Sequence, residues 1–79
     1  MPYTSYLKRF VTFSIEKLNQ HPSFETFKEN LAVEARAIIT TASAQNASIE
    51  LRKLEHYLQT EIKYQLLQYR KRYVTLQLK

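Results

Sequence analysis

The chain has no glycine anywhere in its 79 residues. Glycine is the residue that takes positive φ without steric cost, closes tight turns and ends helices. Aspartate is missing too, since all seven acids are glutamates. Reversals must therefore be made with proline, asparagine, serine and threonine, so turns are few and the elements between them long. The same absence removes both common glycine-rich phosphate cradles.

The longest uninterrupted stretch is the last. Ser48 to Lys79 holds no proline and no turn pair, and its pattern predicts one helix over 48–79. With Ile62 at zero and 100° per residue, Leu51, Leu58, Ile62, Leu66, Tyr69, Tyr73 and Leu76 fall within about 40°. Ala47 and Leu54 lie on the edge of that stripe. A second apolar stripe, Tyr64, Leu67, Val74 and Leu78, runs along another side. One stripe is explained by packing inside a domain; two need two neighbours or an outside partner. Charge is also uneven. Residues 1–61 balance seven cations against seven glutamates, so the formal net charge of +5 comes from Lys63, Arg70, Lys71, Arg72 and Lys79. Cations near a helix C-terminus are favoured by the macrodipole. That does not explain eighteen residues without an acid, which suit a surface that meets something acidic.

Upstream, two more helices are expected. The first runs over about 4–19, with Thr4 or Ser5 as its cap. Its apolar set is Tyr3, Tyr6, Leu7, Phe10, Val11, Phe13, Ile15 and Leu18. This arc of about 200° is wider than one core face requires. The break at Asn19-Gln20-His21-Pro22-Ser23 is clear, because proline disfavours helix at the residue before it and serine caps the helix that follows. The second helix covers about 24–42, striped by Phe24, Phe27, Leu31, Ala35, Ile38 and Ala42 and widened by Ile39. A second break is read in Thr40–Ser48, where β-branched, small and amide residues weaken helix propensity. Asn46 or Ser48 is positioned there to cap the third helix.

These bounds give lengths of about 25, 28 and 48 Å. Folding the second helix back on the third leaves roughly 13 residues of the third overhanging. Two arrangements would cover Tyr69, Tyr73, Val74, Leu76 and Leu78. The first helix could open at Pro22 and lie end to end with the second, or another copy could pack on the overhang.

Chemistry-bearing residues are sparse. Cysteine is absent, and His21 and His56 have no second ligand at metal spacing. No cofactor, metal or catalytic residue is expected, and the chain reads as a non-enzyme. The acid-free opening, residues 1–15 with Lys8, Arg9 and several hydroxyls, has a slight resemblance to a mitochondrial presequence. The stripe running through to Leu18 favours a structural helix instead. No run approaches the roughly 20 apolar residues a membrane span needs. The absence of cysteine fits an intracellular, cytoplasmic setting. No motif carries a family resemblance.

The expectation is thus an all-α fold: a single helical domain forming a three-helix antiparallel bundle, with a long C-terminal helix through which it self-associates. The expected function is protein–protein interaction, as an adaptor, regulator or assembly subunit. The contact residues would be Tyr64, Leu67, Tyr69, Arg70, Lys71, Arg72, Tyr73, Val74, Leu76 and Leu78, and the partner a second copy or another protein with an acidic surface. The alternative is a nucleic-acid-binding regulator that uses the same Tyr/Arg-rich end for phosphate contacts and stacking. Cations scattered around the helix suit a DNA groove less well than one charged face would.

Overall fold

The computed structural model describes residues 2–46 and 48–74. Three helices, α1 (Pro2–Leu18), α2 (Phe24–Gln45) and α3 (Leu51–Tyr69), pack against one another, and a π-helical turn, Arg70–Val74, extends α3. Their order is up-down-up. Tyr6 at the start of α1 hydrogen-bonds Gln45 at the end of α2, so these two are antiparallel. Tyr69 at the end of α3 stacks on Phe27 at the start of α2, so α2 and α3 are antiparallel as well. The all-α three-helix bundle read from the sequence is the fold observed. Among the described residues, no helix is long and apolar enough to cross a membrane.

α1 opens with Pro2, a residue suited to the first helical position because the amide it lacks would have no helical partner. Thr4 and Ser5 therefore lie inside the first turn and do not cap it. Phe10 and Leu18 are buried, and Ser14 fills the remaining contact spot on that face. Its hydroxyl donates to the Phe10 carbonyl at 2.8 Å, which satisfies a polar group that water cannot reach. The wide apolar arc of α1 resolves simply. One strip enters the core, Tyr3, Tyr6 and Leu7 flank it half-buried, and Ile15 faces out.

α2 begins where expected. Ser23 is extended and its side chain accepts the Thr26 amide, with Glu25 in the first turn. Phe27, Leu31, Ile38 and Ala42 are buried, with Phe24, Ala35 and Ile39 packed beside them. Its end differs from the sequence reading. Residues 40–45 stay helical because no proline or glycine interrupts them and Ala42 is fully buried, which holds that turn against the core. The Thr40 hydroxyl also donates to the Arg36 carbonyl at 3.1 Å. The break is confined to 46–50, where Asn46 Oδ1 accepts from both the amide and the hydroxyl of Ser48. The residue at the head of α3 is Glu50, with no side-chain cap bond, so neither Asn46 nor Ser48 caps that helix.

This relocated break corrects the length argument. At 1.5 Å per residue α2 is about 33 Å long and α3 about 28 Å, so the two nearly match. The end of α3 does not overhang up to Tyr73. It lies beside the α1–α2 turn, with Tyr69 and Tyr73 against that turn. Neither the end-to-end opening at Pro22 nor a second copy is needed to cover them. Residues 75–79 of the expected 48–79 helix, Leu76 and Leu78 included, lie outside the described residues.

The core face of α3 is also turned relative to expectation. Its buried residues are Leu54, Leu58, Gln65 and Tyr69, centred about 50° from Ile62 on the helical wheel. Leu54, read as an edge position, is fully buried, whereas Ile62 and Leu66 are only partly covered. Gln65 was absent from the stripe because its head group is polar. In the fold its Nε2 donates to Glu61 Oε2 at 2.9 Å while its carbon stem fills the core.

Candidate interaction surface

Tyrosines tie both ends of the bundle. At one end, Tyr3 Oη accepts the Glu50 amide at 3.3 Å, and Tyr6 donates to Gln45 Oε1 at 3.2 Å. The Tyr3 ring meets Tyr57 edge-on, with centroids 5.4 Å apart. α1 thereby holds both sides of the second loop. At the other end α3 holds the first turn.

That first turn shows what a chain without glycine must do instead. His21 takes φ of 56°, a left-handed conformation that histidine tolerates better than most residues. Pro22 follows and has no amide to donate. Two carbonyls around the turn accept from α3 and its extension: Tyr73 donates to the Leu18 carbonyl, which also takes the His21 amide, and Tyr69 donates to the Pro22 carbonyl at 2.8 Å. Arg72 Nη1 donates to Asn19 Oδ1 at 2.6 Å. The rings are packed as well. Tyr69 contacts Phe24, Phe27 and Tyr73, and Tyr73 lies 5.3 Å from the His21 ring.

The ten residues anticipated as partner contacts therefore separate into three groups. Tyr69 is 8% exposed and Tyr73 half-buried; both face the molecule's own turn, and this corrects their reading as outward contacts. Leu76 and Leu78 lie outside the described residues. Tyr64, Leu67, Arg70, Lys71, Arg72 and Val74 are exposed. Two of those cations are laid back on the body. The Arg70 guanidinium sits 5.7 Å from the Phe24 ring centre, and that of Arg72 lies 5.4 Å from Tyr73. Sequence periodicity placed the tyrosines on the right face of the helix but could not show which neighbour they would meet.

What remains outward is a strip on the far flank of α3. Tyr64 is 54% exposed, Leu67 48% and Val74 44%. Spacings of three and four also bring Lys71 into this strip. Among the described residues Tyr64 is the one tyrosine that engages neither a ring nor a hydrogen bond, while the other five are all used in the packing or ties above. Charge on this side is uncompensated. The ion pair found among the described residues is Arg9–Glu34 at 3.2 Å, between α1 and α2. No carboxylate pairs with Lys63, Arg70, Lys71 or Arg72 there.

The fold thus defines a small all-α bundle with a basic, partly apolar outer flank. No protein-family model, curated protein or solved structure matches the chain. Among the described residues, no group of three or more histidines and acids comes together at a spacing that would hold a metal ion.

Proposed function

We propose that this protein is a protein–protein interaction module, an adaptor, regulator or assembly subunit, whose docking strip is Tyr64, Leu67, Lys71 and Val74 on the outer flank of α3. The observation that carries this reading is Tyr64, which has no partner among the described residues. In a chain that gives every other described tyrosine a structural task, this ring and two aliphatic side chains stand in solvent beside cations that pair with no acid among the described residues. Tyrosine and arginine are the residue types that dominate binding energy at protein interfaces, and rim charges set orientation and association rate. The partner is a protein with an apolar contact spot ringed by acids, or a second copy that supplies its own glutamates.

The nucleic-acid alternative keeps one exposed ring, Tyr64, because Tyr69 and Tyr73, the other two tyrosines of that segment, are packed inward. Affinity purification of the tagged protein followed by mass spectrometry tests the reading. The partner should be retained at high salt and lost from Tyr64→Glu with Val74→Glu. Binding that instead falls steeply with salt, in proportion to the number of phosphates neutralised, would assign the flank to nucleic acid. A variant that keeps all its partners would remove the strip from the reading.

A further inference from the structure

A second surface lies along the seam between α2 and α3. Two recesses of about 290 and 230 Å³ follow one another there, and no residue of α1 lines either. The floor of the first is Ala32, Ala35, Ile39, Leu58 and Ile62. The floor of the second is Phe24, Leu66 and Leu67. Both recesses are open and fall short of the roughly 300–1,000 Å³ of an enclosed small-molecule site. Their placement one after the other along the same helix pair suits an extended occupant. From Phe24 to Ile39 the seam runs about 22 Å, or four turns of helix. Ala32 and Ala35 keep the α2 wall low, so that another helix can approach closely.

The rims decide what that helix carries. Arg36, Lys63 and Arg70 line the two recesses against one acid, Glu55. A second copy seated symmetrically would bring the same three cations against these three, because a two-fold interface pairs a patch with itself. Like charges facing across an interface suppress such pairing. Glutamates flanking an apolar stripe, in contrast, would meet a cation on each side of the groove, including the Arg70 guanidinium already held over Phe24.

We propose that the α2–α3 groove binds an acidic amphipathic helix of a partner protein, apolar stripe down and carboxylates toward Arg36, Lys63 and Arg70. This surface borders the Tyr64–Val74 strip and shares Leu67 with it, but Tyr64, Lys71 and Val74 line neither recess, so its failure leaves that reading intact. The probe is a fluorescein-labelled peptide of about 16 residues, with leucine at helical spacing and glutamate elsewhere, followed by fluorescence anisotropy at low salt. Two control peptides carry lysine for every glutamate, or a central proline that breaks the helix. The glutamate peptide should bind and the controls should not. Ala32→Trp, which fills the floor from an exposed position, should weaken binding at least about tenfold. Arg36→Glu with Lys63→Glu, both also exposed, should do the same. Tyr64→Ser with Val74→Ser, which empties the strip without adding charge, should leave it unchanged, and circular dichroism checks that each variant is folded. Failure to bind, equal binding of the proline-broken peptide, or insensitivity to Ala32→Trp would each overturn the groove. So would a dimer in light scattering that Ala32→Trp dissolves, because the occupant would then be a second copy.

Discussion

Tyr69→Phe removes one oxygen and leaves the packed ring in place. In the native fold that oxygen donates to the Pro22 carbonyl at 2.8 Å, and the residue is 8% exposed. The variant leaves the carbonyl without its partner in a partly shielded turn. Loss of such a bond costs about 0.5–1.5 kcal/mol. In a domain of this size each kcal/mol moves the midpoint of thermal unfolding by about 4–8 °C, so Tm should fall by about 2–12 °C. Total stability at roughly 0.05–0.15 kcal/mol per residue is about 4–12 kcal/mol, so the variant stays folded at room temperature. Tyr69→Ala removes the ring as well and costs about 3–5 kcal/mol, a large share of that total, so its Tm should fall well below that of Tyr69→Phe. Far-ultraviolet circular dichroism melting of wild type, Tyr69→Phe and Tyr64→Phe is the assay. Tyr64 is exposed with no hydrogen bond among the described residues, so its variant should stay within about 0.5 kcal/mol of wild type. A Tyr69→Phe melting curve that overlays the Tyr64→Phe curve would refute the idea that α3 ties the first turn through this hydroxyl.

The other expectations concern the same two ends and the core. His21→Val should lose about 1–2 kcal/mol in denaturant unfolding, because a β-branched residue is poorly accommodated at φ of 56°; a variant as stable as wild type would show that the turn re-forms without the left-handed residue. Gln65→Leu exchanges a buried amide for a hydrocarbon of similar length, while Glu61 remains only partly buried; its Tm should not drop, and a large drop would make the Gln65–Glu61 bond a structural requirement. Arg9→Ala should change stability by less than about 1 kcal/mol, because the Arg9 side chain is 47% exposed in its pair with Glu34, and titration with urea reads this directly.

Helix content and the placing of the first turn were legible without coordinates. A chain lacking glycine and aspartate has few ways to reverse, and Pro22-Ser23 is the strongest of them. The stripes on α2 were equally readable, because Phe27, Leu31, Ile38 and Ala42 repeat at helical spacing and end up buried. Local composition misled at 40–48, where weak helix formers remain helical because Ala42 is held in the core. That one displacement brought the expected overhang, as far as Tyr73, onto the first turn and changed what the Tyr/Arg segment does.

For the candidate contact strip, the sequence alone showed that the cations outnumber the acids and that two apolar stripes share the last helix. It could not tell which stripe faces inward at Tyr69, nor that Gln65 joins the core, because helical spacing assigns residues to a face but does not say where the neighbouring helices stand. Only the tertiary structure set the turn of α3 about its axis. It did so by bringing the carbonyls of Leu18 and Pro22 within reach of two tyrosine hydroxyls, a condition that depends on residues about fifty positions apart. Tyr64 was left outward by the same rotation.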